Sequence, residues 1–309
     1  MWSHGPMRFS VWPSPMSGFD AMAEVVAHCD RTGWDGAYVM DHFMGDRAGG
    51  EPDDAPILEV FTALGALAAR TERLRLGPLV LGNTYRHPAV VAKSAVTLDH
   101  ITGGRFVLGL GAGWQVNEHH AYGIDLFDTG TRLDRYEEAC EAIRALVTND
   151  RTTFAGRHYQ LTDAPCAPTP PDGRMPILIG AKGEKRGLRI AARFADEWNS
   201  WATVAQLRHR SEVLARHCDD VDRDPASIRR STQALVTLVD DPAEAARLRD
   251  EPSDRPTLIG TPAEVVDQVG AYAEAGLDEL IVPDWMWGDV GGRTEALDRF
   301  STEVASAFR

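Results

Sequence analysis

Asp41-His42, followed by Phe43, is the first segment of the chain whose residue types could move a proton. Imidazole titrates near neutral pH and an adjacent carboxylate can tune it, so the pair reads as a general acid/base or as a loop carboxylate beside a structural histidine. A second segment, Gly180-Ala181-Lys182-Gly183-Glu184-Lys185-Arg186 with Arg189 beyond, sets glycines and clustered cations at the start of a helical pattern. Free backbone N–H groups and the positive end of a helix dipole suit a phosphate there; a plain helix start with a solvated basic face is the alternative. Third, Phe43, Trp114, Trp201 and Trp285 each follow a strand pattern and are expected to ring one mouth as an apolar pocket wall for a flat organic substrate.

Other candidates are weaker. Gly109-Leu110-Gly111-Ala112-Gly113 lacks the spacing of a dinucleotide fingerprint, although its glycines could let a flat ring lie close to the backbone. His87, His119 and His120 have no metal-ligand spacing and read as polar side chains facing solvent. Asp41, Glu118 and Asp284 have no spacing that raises them above solvated loop carboxylates, so no metal is expected. No nucleophile elbow, Walker loop or Ser/His/Asp signature occurs.

These residues need a frame, and strand and helix patterns alternate along the chain to supply it. Strands are predicted at 7–12, 37–40, 74–81, 105–110, 177–179, 197–200, 232–239 and 279–282, each followed by a helical pattern. Pro88 opens one helix, a long helix runs from about Leu133, and Thr261-Pro262-Ala263-Glu264 is a capping box with proline at the first helical position. Eight strand–helix repeats favour an α/β fold of the (β/α)8 TIM barrel kind over an open doubly wound sheet. The rhythm breaks once, at about 150–176. There Thr152-Phe154 and His158-Leu161 flank Ala155-Gly156-Arg157 as a hairpin, and a proline-rich crossing follows. The expected organisation is one domain, 1–309, with an insertion between strands four and five.

Composition narrows the partners. The chain has 309 residues, 32 basic and 46 acidic, for a formal charge of −14. That balance argues against nucleic acid or an anionic membrane as partner. The four cysteines, Cys29, Cys140, Cys166 and Cys218, form no CxxC or zinc spacing. No apolar stretch reaches the ~18 residues of a membrane span and no signal-type segment opens the chain, so a reduced, cytoplasmic setting is expected.

Tyr85-Arg86-His87-Pro88-Ala89-Val90-Val91-Ala92-Lys93, Leu98-Asp99-His100-Ile101-Thr102-Gly103-Gly104-Arg105 and Leu108 to Trp114 with Asn117-Glu118 resemble the bacterial luciferase-like monooxygenase superfamily. So do Phe154 to Tyr159, Gly180 to Glu184, Ala191 to Asn199 and Leu258 to Glu264. The match runs from Met7 to about Val282. Met7 to Pro15 and Gly82 to Pro88 look most like branches that use the deazaflavin coenzyme F420. The resemblance implies an F420-dependent oxidoreductase acting on a small molecule, commonly as a homodimer. An enzyme using reduced FMN and O₂ is the alternative, and a non-catalytic F420- or flavin-binding protein is a third reading. It implies cofactor contacts from Asp41, Pro78, Leu79, Asn83, Gly111, Asn117, Gly180, Ala181, Lys182, Gly183 and Glu184. It also implies a non-prolyl cis peptide in strand three, for which Pro78–Leu79 is the matching bond. His42 matches the catalytic histidine of the related sugar-phosphate dehydrogenases. Their acidic residue is replaced here by Trp114, and their substrate-phosphate lysines lack clear counterparts, which disfavours that activity.

Overall fold

The computed structural model describes residues 6–46 and 51–309. In its first half, β1 (Arg8–Trp12) leads into α1 (Gly18–Thr32), and β2 (Gly36–Val39) into α2 (Val60–Ala68). Strands β3 (Arg75–Pro78) and β4 (Leu81–Gly82) precede α3 (Pro88–Thr102), and β5 (Leu108–Gly111) precedes α4 (Val116–Tyr122) and α5 (Thr129–Thr148). An antiparallel hairpin, β6 (Thr152–Ala155) and β7 (Gln160–Ala164), then interrupts the alternation where the sequence pattern breaks. The second half runs β8 (Ile177–Gly180), α6 (Gly187–Phe194), β9 (Glu197–Asn199), α7 (Val204–Asp219) and β10 (Arg229–Gln233). It ends with β11 (Leu235–Leu238), α8 (Pro242–Arg249), β12 (Thr257–Gly260), α9 (Pro262–Glu274), β13 (Glu279–Pro283) and α10 (Val290–Glu303).

Nine strands form one parallel sheet in the order β3-β2-β1-β13-β10-β9-β8-β5-β4. Strands β3 and β4 are two halves of a single interrupted strand, so the two ends of that order meet. Leu76 N donates to Arg105 O and Val107 N to Leu76 O, joining β3 to the approach of β5. The result is the expected (β/α)8 barrel. Helices cover its outside, and Trp12, Tyr38, Leu79, Val107, Leu178 and Ile281 pack together as a separate cluster inside. At the N-terminal end, buried Glu197 and Glu279 take hydrogen bonds from Arg75, and Glu279 takes a further one from Ser10 Oγ at 2.5 Å. That end is plugged by satisfied charges, which leaves the C-terminal mouth for function, as barrels of this type use it.

Besides the break of the expected strand 74–81 into β3 and β4 and the later start of β5 at Leu108, three boundaries differ from the sequence reading. The helix expected to carry Ile57 begins at Val60, because the Glu59 carboxylate accepts from Thr62 N at 2.8 Å and starts the helix there. The long helix begins at Thr129, four residues before Leu133, where Asp128 caps Gly130 N and Thr131 N. The run Thr232–Val239 is not one strand. Gln233 ends β10, and Leu235–Leu238 turns out of the barrel to pair in parallel with β12 across α8. The capping box at Thr261–Glu264 is present with both reciprocal bonds.

Candidate active site

His42 follows β2 and its imidazole is one-fifth exposed. Its Nδ1 lies 2.8 Å from Oε1 of Glu118, a residue of α4 with no exposed side-chain surface. A carboxylate can only accept, so Nδ1 carries the proton and Nε2 of the neutral ring is left as an acceptor. Among the described residues nothing hydrogen-bonds Nε2. Glu118 also accepts from Phe43 N at 2.7 Å and from the Tyr85 hydroxyl. Burial works to raise the Glu118 pKa, but the bonds from His42, Phe43 and Tyr85 outweigh it and hold the carboxyl below its ordinary value. The Tyr85 phenol is driven the other way, by burial and by the carboxylate it donates to. The indole of Trp114 stands edge-on to the imidazole, 5.6 Å between centroids.

The carboxylate that serves His42 is therefore Glu118 and not its neighbour. Asp41 is 2% exposed and faces the other way. It accepts two bonds from Arg86 at 2.8 and 2.9 Å and one from Gly82 N at 2.9 Å, tying β2 to β4. Burial raises its pKa despite those bonds. Asn117 turns its amide to the carbonyls of Gly45 and Glu51, pinning the loop after β2. Asn83 Nδ2 donates to Tyr159 OH at 3.4 Å. His119 does not face solvent as expected: it is 2% exposed, donates from Nδ1 to Gln115 O and accepts at Nε2 from Thr84 Oγ1 at 2.7 Å.

The cis non-prolyl bond is Leu79–Val80, one residue beyond the expected Pro78–Leu79, in the break between β3 and β4. There the chain crowds its neighbours. A Cβ on Gly111 would sit 2.6 Å from Val80 Cγ2, and one on Gly180 2.8 Å from the same atom. These glycines make room for Val80.

At the end of β8, Ala181 N donates to Asn199 O at 3.0 Å and Ala181 O accepts from Trp198 Nε1 at 2.9 Å, fixing where the next loop starts. Glu184 anchors that loop to α7 through His209 and His217. From Lys182 to Gly187, six successive residues, no backbone N–H donates within the described residues, and a Cβ on Gly183 would meet open space. The cationic cluster expected here is smaller than its sequence suggests. Arg186 and Arg189 turn to α5 and pair with Asp134 and Glu137, leaving Lys182 and Lys185 at the loop. Burial lowers the Lys182 pKa, with Arg210 and Arg255 adding to it as nearby cations.

The four aromatics fall into separate packing groups. Phe43 packs on Tyr85 and Tyr122, and Trp114 on His42. Trp201 and Trp285 join Trp12, which the sequence reading did not single out.

A (β/α)8 barrel whose mouth joins a His–Glu pair to a loop of free N–H groups defines the class of site. Residues 5–255 match the model of the luciferase-like monooxygenase family, and the chain belongs to that family. It is 30% identical to the F420-dependent glucose-6-phosphate dehydrogenase of Intrasporangium calvum, over 93% of this chain and 95% of that protein. Identity to the 4-hydroxyprotoasukamycin monooxygenase of Streptomyces nodosus subsp. asukaensis is 29%, over 92% and 85%. The solved F420-dependent tetrahydromethanopterin reductase of Methanopyrus kandleri shares the fold with a TM-score of 0.82 at 17% identity, over 99% and 100%.

Proposed function

We propose that the protein is an F420-dependent oxidoreductase that exchanges a hydride between the deazaflavin and a small organic substrate. The observation that carries this is the His42–Glu118 pair, which turns Nδ1 to the carboxylate and leaves Nε2, the acceptor of a neutral ring, beside the mouth. Bound F420 supplies a two-electron hydride carrier. In the oxidative direction His42 Nε2 takes the proton of a substrate hydroxyl; in the reductive direction it returns one. Glu118 keeps the ring in that tautomer and stabilises the imidazolium that forms, because its buried charge is already held by two further donors. The six free N–H groups from Lys182 to Gly187, with the Lys182 ammonium, fit a cofactor phosphate. Leu79 and Val80, at the cis bond, are the residues that would back the cofactor's ring, and Trp114 packs edge-on against the imidazole.

The F420-dependent dehydrogenase relative favours this cofactor. The monooxygenase relative favours the second reading, reduced FMN with O₂ on the same barrel. Parallel calorimetric titrations with F420 and FMN separate the two. Tighter F420 binding is expected, and a clear preference for FMN would replace the proposal with the second reading.

A further inference from the structure

Beyond the ends of β1, β9 and β13, three indoles meet. Trp12 lies 4.8 Å from Trp285 and 6.0 Å from Trp201 between centroids, and Trp201 and Trp285 are 6.4 Å apart. Ile281 of the barrel interior packs with them. The Arg255 guanidinium lies 5.2 Å from the ring centres of both Trp201 and Trp285.

Three polar atoms of this region are buried without a partner among the described residues: Nε1 of Trp12, Nε1 of Trp285 and Oε1 of Gln233. Gln233 is 2% exposed and stands in register with Ile281, so both share the inward face. Its Nε2 donates to Asn199 Oδ1 at 2.8 Å, which leaves Oε1 as the open acceptor. A buried polar atom left unpaired is costly, and native proteins keep few of them. Two N–H donors and one acceptor around a single aromatic cluster are unmet valences of the kind a ligand satisfies.

The charge here is mostly positive. Arg210 donates to Ser200 Oγ at 2.9 Å and Trp201 O at 3.0 Å, which sets it beside the indoles. Neither Arg210, Arg255 nor Lys182 forms an ion pair within the described residues, whereas Arg186, Arg189 and Arg193 all pair with carboxylates of α5. Arg210 and Arg255, with Asp254 as the carboxylate whose charge reaches Lys182 beside them, leave a cationic excess that draws an anion to this place in a chain of charge −14.

We infer that the Trp12–Trp201–Trp285 box is the substrate subsite and that it takes a planar, conjugated organic acid. The flat body lies against the indoles, the carboxylate meets Arg255 and the indole N–H groups, and Gln233 Oε1 accepts an O–H from the buried end. That the ligand is the substrate rests on the oxidoreductase reading above; the binding chemistry does not. A sugar fits poorly, because its hydroxyls need several partners and the indoles supply few.

Calorimetry on the full chain, with and without F420, tests this using trans-cinnamate, 4-hydroxycinnamate, cinnamamide and glucose 6-phosphate as probes. Cinnamate should bind at least about tenfold more tightly than cinnamamide, and 4-hydroxycinnamate more tightly still. Arg255→Gln should weaken cinnamate about tenfold and leave F420 affinity within twofold. Gln233→Leu should erase the advantage of the 4-hydroxyl group without changing cinnamate binding. Equal binding of acid and amide, or tighter binding of glucose 6-phosphate, would overturn the inference. So would an Arg255→Gln variant that loses F420 affinity and keeps cinnamate, which would assign Arg255 to acidic groups of the cofactor. Retained cinnamate binding in a protein that does not bind F420 would support the box and defeat the cofactor reading instead.

Discussion

Glu118→Gln is the substitution whose consequence follows most directly from the geometry. The side chain is fully buried and meets three donors: Phe43 N at Oε2, and His42 Nδ1 and Tyr85 OH at Oε1. An amide has one oxygen and one NH₂ group. The backbone N–H of Phe43 cannot become an acceptor, so the amide oxygen must face it. The NH₂ group then faces His42, whose only accommodation is to move its proton from Nδ1 to Nε2. The imidazole survives, but the nitrogen left toward the mouth can no longer accept a proton. A misplaced general base of this kind costs about 10²- to 10³-fold in turnover. Replacing charged by neutral hydrogen bonds should also cost about 2 kcal/mol, a Tm loss of about 3 °C in a chain this long. The Glu118 carboxyl is held below its ordinary value of 4.5, so its contribution to stability is complete above that pH. It is lost as pH falls through the lower folded value, and the stability gap between parent and variant should close there. Nitrogen-15 NMR of the labelled histidines reports the tautomer directly. An unprotonated His42 Nε2 in the variant, with turnover within a few-fold of the parent, would refute the reasoning.

Four further outcomes are expected. His42→Asn should keep F420 affinity within about twofold and lower turnover about a hundredfold, as kcat measured at saturating cofactor. Lys182→Glu, or a bulky residue at Gly183, should weaken F420 binding about tenfold or more while thermal unfolding stays unchanged, read by titration and a melting curve. Asp41→Asn should destabilise by about 2 kcal/mol in denaturant, because it breaks the paired bonds from Arg86. Asp284 is pushed up to about 6 by burial, with one carboxylate oxygen unpaired, so its charged form strains the folded state. Asp284→Asn should therefore stabilise by up to about 3 kcal/mol above pH 6, with the gain fading as pH falls toward 4, seen in Tm against pH.

The barrel was legible because several of its strands are covered on both faces and read as short apolar runs between helical stripes, as at Leu108–Gly111 and Ile177–Gly180. The hairpin announced itself through Ala155-Gly156-Arg157. Strand β12 escaped because Thr257–Gly260 is only half buried and follows a polar run, which hides its pairing with β11. His42 and the Lys182–Gly183 loop stood out by residue type and position alone. Its partner did not: Glu118 lies 76 residues away, and only the approach of α4 to the end of β2 brings the two together. Asp41, adjacent in sequence, points to Arg86 because successive residues leaving a strand diverge. The loss of Arg186 and Arg189 from the loop was equally invisible, since it depends on acids carried by α5. Trp12 drew no attention as the last residue of a strand, although its signal, an aromatic at a C-terminal strand end, is the one that marked Trp201 and Trp285.

Isotope transfer tests the central claim most directly. The protein is incubated without oxygen with reduced F420 carrying deuterium at its reactive carbon and a set of conjugated organic acids, and the products are weighed by mass spectrometry. Hydride transfer predicts a product that gains one deuterium on carbon and forms in the absence of O₂. No product until O₂ is admitted, with labelled oxygen then found in it and no deuterium, would contradict the account and identify a monooxygenase.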